Sequence, residues 1–184
     1  MNTASQDLIR EHKAILIALN VIEKIVERIR NDKEIDHKDI EELIEFLKVF
    51  ADKCHHGKEE GFLFPALEKI GIKNENGPIG AMLVQHNQGR DLIKRMQESI
   101  AENKIQKNAF IDAGSEYVKL LRNHIEKEDT ILFPLSDTRL SLSEQKQLLD
   151  DFENLEEKVI GKGKHEELHT LLGKFKNKYL NKNI

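Results

Sequence analysis

The chain is poor in the features that mark several protein classes. It has one cysteine, Cys54, in 184 residues. That excludes an intrachain disulfide framework, a cysteine-based zinc finger and a cysteine-ligated iron–sulfur cluster. It has no long apolar run; the longest are a few residues, far short of the roughly 20 needed to cross a bilayer. It has no excess of positive charge either. Lys and Arg total 29 against 33 Asp and Glu, a formal net charge of −4, which gives no electrostatic case for nucleic acid or an anionic membrane as partner. The first dozen residues include Asp7, Arg10, Glu11 and His12, so no signal-peptide core is expected there. The expected location is the cytoplasm, which suits a single unpaired thiol. No segment shows the two-residue alternation of a strand.

What is present is helical periodicity almost throughout. Leu8, Ile15, Leu19, Ile22, Val26 and Ile29 form one stripe that ends near Asn31 and Asp32. Ile40, Leu43, Ile44, Leu47 and Phe50 begin a second helix behind Asp36, a natural N-cap. It runs about seven turns to Pro65. A third helix follows Pro78, with Met82, Leu83, Ile93, Met96 and Ile100 inward. A fourth runs from about Lys107 to Leu132, with Phe110, Tyr117, Leu120 and Leu121 inward, and Pro134 closes it. Ser141 and Glu144 form a capping box for a shorter helix to about Val159. Gly161 and Gly163 break that helix before a last one over about Lys164 to Tyr179. The expectation is an all-α chain: an up-down four-helix bundle over 1–140 and a C-terminal helical extension over 141–184 packed on it. Most of the 34% charged residues are accounted for by solvent-facing stripes.

Eight histidines stand out among these charges, and a repeat organises them. The segment His55-His56-Gly57-Lys58-Glu59-Glu60-Gly61-Phe62-Leu63-Phe64-Pro65 aligns with His124-Ile125-Glu126-Lys127-Glu128-Asp129-Thr130-Ile131-Leu132-Phe133-Pro134. Upstream of each, a histidine interrupts an apolar stripe: His12 before the first copy, His86 before the second. Residues four apart share one helix face, so His55 with Glu59, and His124 with Glu128, aim at a common point. Both pairs continue inward stripes, through Leu47 and Ala51 in one case and Tyr117 and Leu121 in the other. A lone histidine on an apolar stripe is usually a hydrogen-bonded core residue, and a lone His-x-x-x-Glu is usually a surface pair. Two glutamates and four histidines repeated on core stripes are harder to satisfy, because an ionised carboxylate in a core needs a partner or a cation. Inward carboxylates beside histidines are how bundles build dinuclear metal sites.

His56 and Glu60 form a second His-x-x-x-Glu. The repeat favours Glu59, since Glu60 aligns with Asp129. His56 is also turned about 100° from His55 on a helix, so the two are not expected to meet at one point; His56 and Glu60 are read as neighbours or supporting groups. His165 and His169, four apart at the start of the last helix, are candidate extra ligands, as is Tyr117, two turns before His124. His165 to His169 also spells the His-Glu-x-x-His of zinc peptidases, but residues 170–184 hold no His, Asp or Glu to complete such a site. Cys54 reads as a small buried filler and His37 as exposed.

On these residues the chain resembles hemerythrin-like proteins of the HHE cation-binding domain family, over about residues 5–135. His12, His55 with Glu59, His86, and His124 with Glu128, together with the two Leu-Phe-Pro tails, are that family's pattern. The resemblance implies a four-helix bundle with a non-haem di-iron centre and an oxo or hydroxo bridge. Glu59 and Glu128 would bridge the irons and the four histidines would be terminal ligands. Four histidines leave one more open coordination position than the five of oxygen-carrying hemerythrins. That favours reaction with dioxygen, peroxide or nitric oxide over reversible carriage, and implies a redox partner. The alternatives are an iron-holding or oxygen-, iron- or redox-sensing protein, an iron–sulfur repair protein, and a bundle whose histidines are purely structural. Members that repair clusters carry a separate cysteine-bearing N-terminal domain, for which little sequence precedes His12.

Overall fold

A computed structural model describes residues 3–100, 104–161 and 164–181; the side chain of His165 also lies outside the described set. The described residues form six helices and no strand. Helix α1 spans Ala4–Arg30 and opens with Thr3 and Gln6 in a capping box. Helix α2 is continuous over 37–69. It is α-helical over His37–Phe46, π-helical over Leu47–His56 and Glu59–Leu63, and α-helical again over Phe64–Lys69. Helix α3 spans Pro78–Glu98. Helix α4 is continuous over 107–139, with a π-helical stretch at Glu128–Leu132. Helix α5 spans Leu142–Val159, and α6 runs from Lys164–Phe175 into a π-helical end at Lys176–Leu180. Asp36 caps α2, accepting from the Lys38 amide. Ser141 and Glu144 form their capping box. Gly161, at φ +84°, takes the left-handed turn that ends α5.

Each of α1 to α4 packs against its neighbours in chain order, with α4 returning to α1, which is the ring of a four-helix bundle. Helix α5 lies on α1 and the π-helical part of α2, and α6 lies mainly along α1.

Pro65 and Pro134 do not end their helices. Phe64 donates its amide to the Glu59 carbonyl, and Phe133 donates to Glu128, bonds five residues long rather than four. Each proline follows at the start of a fresh α-helical stretch, where its missing N–H costs nothing, and the widened turn before it absorbs the ring. The second helix therefore runs on to Lys69 and the fourth to Arg139. Both π-helical turns begin at the repeated glutamate, so the irregularity falls where Glu59 and Glu128 leave the helix.

The apolar side chains divide into two clusters. One fills most of the bundle's length, including Ile15, Leu19, Ile22, Phe46, Phe50, Ile93, Phe110 and Leu121, with Leu172, Phe175 and Tyr179 of α6 in the same cluster. The other closes one end with Leu8, Leu63, Phe64, Met82, Leu132 and Phe133, joined by Leu148 and Phe152 of α5. Between these apolar layers lies a layer of buried histidines and glutamates. His37 is half-buried rather than exposed, because its Nε2 reaches the Ile100 carbonyl at 2.7 Å. Helices α1 and α4 are in close contact at Gly114, where an added Cβ would lie 3.1 Å from Val26 and 3.3 Å from Ile22.

Filling that contact should cost stability. We expect Gly114→Leu to lower stability by about 1–3 kcal/mol through overpacking. Gly173→Ala, in α6 with nothing within 4 Å of the added carbon, should raise it by about 0.5–1 kcal/mol through helix propensity. Chemical denaturation of the two variants checks the sign of each.

Candidate metal centre

The π-helical stretches of α2 and α4 set the geometry of the polar layer. His55, His56 and Glu59 enter it from α2, His124 and Glu128 from α4, His12 from α1 and His86 from α3. All seven are at most 3% exposed. Their ligand atoms form two groups, each with its atoms within 4.8 Å of one another: His12, His55, Glu59 and Glu128, and His56, Glu59, His86 and His124. Glu59 belongs to both. Its two oxygens lie 3.6 Å from His55 Nε2 and 3.4 Å from His86 Nε2. Glu128 Oε2 lies 3.3 Å from His12 Nε2 and 3.1 Å from His124 Nε2. The two carboxylates thus stand between the groups, each touching a histidine from both halves of the bundle.

His56 is the departure from sequence reasoning. Its ring stacks on His86 with centroids 3.8 Å apart, and its Nε2 joins the second group. A turn of about 100° keeps adjacent residues from sharing one target point. There are two, and adjacent residues in the π-helical stretch face one each.

These close contacts are not hydrogen bonds. The Nε2 atoms of His12, His55 and His56 and all four oxygens of Glu59 and Glu128 are buried with no hydrogen-bond partner, while His86 Nε2 and His124 Nε2 only face each other at 3.2 Å. Every Nδ1, by contrast, has an acceptor. Asp129 bonds His12 at 2.7 Å, Glu11 bonds His55 at 2.8 Å and Glu60 bonds His86 at 2.6 Å. Gln85 bonds His124 at 3.1 Å, and Asp52 contacts His56 at 3.4 Å. An acceptor on Nδ1 keeps the proton there and leaves the Nε2 lone pair aimed inward, as metal-binding histidines require. Seven inward-facing atoms buried without a hydrogen-bond partner are a set that a cation would satisfy.

The supporting residues obey the repeat. The residue before each single histidine, Glu11 or Gln85, bonds the His-x-x-x-Glu histidine of its own half. The acid after each repeated glutamate, Glu60 or Asp129, bonds the single histidine of the other half. Asp129, Glu11, Asp52 and Gln85 were not singled out from sequence. The signal that would have found three of them was the pair of positions flanking the ligands in both copies. Asp52 has no such signal. Glu60 also pairs with Arg90 at 2.6 Å, and Arg90 reaches Asp52 at 2.7 Å, closing a surface-side lattice over His56 and His86.

Of the remaining candidates, His169 belongs to neither group. Tyr117 is buried, with its hydroxyl unpartnered, and its ring is accommodated beside Gly89. His169 is exposed, its ring centroid 5.8 Å from that of Phe50. The His165 side chain lies outside the described residues. Cys54 is buried, and its burial beside Glu11 pushes the thiol up to about 12.

Electrostatics show how the metal-free layer is held. Burial alone would lower His12, but its bond to Asp129 and the nearby carboxylates of Glu128 and Glu59 raise it to about 9. Burial likewise opposes the charge on His86, yet Glu59 and Glu60 raise it to about 9. His56 goes the other way: burial, with the positive charges of His86, His55 and His124, holds it well below its usual value. Glu128 is held well below the carboxylate range despite burial, by His124 and His12. Protons on His12 and His86 therefore stand where cations would neutralise the two glutamates.

The family model described as the hemerythrin HHE cation-binding domain matches residues 3–136. Curated relatives include uncharacterized proteins of Mycobacterium tuberculosis and Mycobacterium bovis, each 24% identical over 163 residues. The match covers 86% of this chain and 63% of each relative, so the chain spans under two thirds of their length. No solved structure matches significantly. No helix among the described residues is long and apolar enough to cross a membrane.

The raised values of His12 and His86 fix a pH dependence. Each binds its proton more tightly in the folded metal-free chain, at about 9, than at its ordinary 6.5. Their stabilisation is complete below pH 6.5 and is lost as pH rises through 9, about 1–3 kcal/mol for each. Urea melts of chelator-treated protein should show this fall. Metal-loaded protein, whose ligand histidines are already deprotonated, should not. A metal-free chain equally stable at both ends of the window would contradict it.

Proposed function

The chain belongs to the hemerythrin HHE cation-binding domain family, and from that premise we propose that the histidine–glutamate layer holds two iron ions joined by an oxo or hydroxo bridge, a centre that binds or reacts with dioxygen, peroxide or nitric oxide. The observation that supports this reading is the set of buried, unpartnered Nε2 and carboxylate oxygen atoms, which divide into two groups sharing Glu59. Imidazole and carboxylate donors together suit iron, and bound iron would supply redox chemistry and Lewis acidity that no side chain offers.

The residues have separable tasks. Glu59 belongs to both groups and Glu128 touches a histidine of each, which supports a bridging role for both. His12 and His55 would serve one ion and His56, His86 and His124 the other. With His56 the set has five histidines, which leaves one open position, not the two that four histidines imply, and so favours binding a single small ligand. Ile125, the counterpart of His56 in the second copy, is buried and apolar; it leaves the His12–His55 group one imidazole short, and that group is where a ligand would enter. Leu63, Phe64, Leu132 and Phe133 cap the layer on one side and exclude water. The partners bonded to each Nδ1 hold the rings in register.

A second reading, iron holding or sensing without turnover, draws support from a buried ion network that ties α5 to His55.

Anaerobic reconstitution tests the proposal. We expect two irons per chain, one for each group, with oxo-bridge charge-transfer bands appearing on exposure to oxygen. Glu59→Ala or Glu128→Ala should abolish the paired centre, whereas Glu60→Ala should weaken loading by about 10–100-fold. Wild-type chain that takes up no iron, or takes up only zinc without such bands, overturns the reading. Peroxide consumption by the loaded protein separates reaction from simple binding.

A further inference from the structure

Lys58 is the buried cation that metal binding does not use. It is 1% exposed, and its Nζ donates to three carboxylates: Glu11 at 2.6 Å, Glu156 at 3.1 Å and Asp7 at 3.2 Å. Glu11 and Asp7 belong to α1, Lys58 to α2 and Glu156 to α5. Glu11 is shared, because its other oxygen accepts from His55 Nδ1. The chain of contacts therefore runs from α5 through one ammonium and one carboxylate to a histidine of the first group. Close packing supports it. At Gly57, next to Lys58, an added Cβ would come within 3.3 Å of Leu155, the residue before Glu156. Phe152, one turn earlier on α5, lies 5.6 Å under the Lys58 ammonium.

The second half of the bundle lacks this arrangement. Its equivalent of Lys58, Lys127, is only half-buried, and its equivalent of Glu11 is the neutral Gln85. The acidic tether to a ligand histidine through a buried lysine is thus confined to the half that α5 covers. Glu11, Cys54 and Glu156 also sit within ligand-forming distance of one another, but the Lys58 ammonium already supplies the cation between the two carboxylates.

We propose that Glu156 is a positioning residue for the cation centre: through Lys58 and Glu11 it holds His55 in place, so that docking of α5 and loading of the His12–His55 group depend on each other. This rests on the metal reading of the layer. The coupling is electrostatic and geometric. Glu11 divides its charge between Lys58 and His55. When Glu156 takes a share of the ammonium, Glu11 is free to hold the imidazole. When a cation on Nε2 makes the Nδ1 proton a stronger donor, Glu11 turns toward His55 and Lys58 leans on Glu156. Linkage requires that the effect run both ways. The C-terminal helices are then the element through which occupancy of the centre is reported.

The test uses the full chain, anaerobic Fe(II) titrations by calorimetry, and backbone hydrogen exchange. Glu156→Gln should weaken one of the two binding events by about tenfold and leave the other unchanged. Glu153→Gln, exposed on the same helix, should alter neither. In wild-type protein, amides across Leu142–Val159 should exchange more slowly after Fe(II) loading. If Glu156→Gln binds both ions as wild type does, or weakens both equally as a general loosening would, the coupling is wrong and the metal reading stands. The same follows if exchange in α5 ignores loading. Wild-type chain that binds no Fe(II) sinks both.

Discussion

Two carboxylates buried without proton donors are the constraint on which this structure turns. Glu59 and Glu128 are fully buried, and none of their oxygens has a hydrogen bond. Moving an ionised carboxylate out of water is tolerated only with a compensating charge close by. Here that charge comes from imidazoles that burial would otherwise keep neutral, which is why His12 and His86 hold protons so tightly in the metal-free chain. The layer is suited to binding a cation. The apolar clusters on either side keep water out and supply the stability that the polar layer does not.

The outer contacts follow from the same constraint. Each imidazole must present a lone pair inward, so each needs an acceptor behind it. Those acceptors then need partners of their own: Glu60 and Asp52 share Arg90, and Glu11 takes Lys58. In this way a requirement at the bundle axis propagates to the surface, and on one side to α5. Burial pulls the Lys58 ammonium down, but its three carboxylates more than offset that and hold it well above its usual range. Glu11 is held down to about 2 despite its own burial, by His55 and Lys58. Both groups stay charged across the physiological range, so the tether remains ionic there.

Helix number, order and inward faces were legible because a 3.6-residue apolar period is a local property. Leu8, Ile15, Phe50 and Phe110 could be placed in the core from spacing alone, and all are buried. The fate of Pro65 and Pro134 was not legible. A proline normally marks a helix end, but each of these follows a π-helical turn through which the helix continues. His37 could not be placed either, since its partner is the distant Ile100 carbonyl.

By itself the sequence determined the repeat. Residue type and spacing put His12, His55, Glu59, His86, His124 and Glu128 on inward faces of four helices, because helical geometry links positions four apart. Tertiary structure decided how these faces meet: as two groups sharing a carboxylate, with His56 turned to the second. It also decided that Asp129 serves His12 and Glu60 serves His86, each reaching across to the other half, and that Lys58 joins Glu156 to Glu11. The physical reason is that periodicity encodes direction around one helix axis, whereas a second target for an adjacent residue, or an ion pair between distant helices, exists only once those axes are packed side by side.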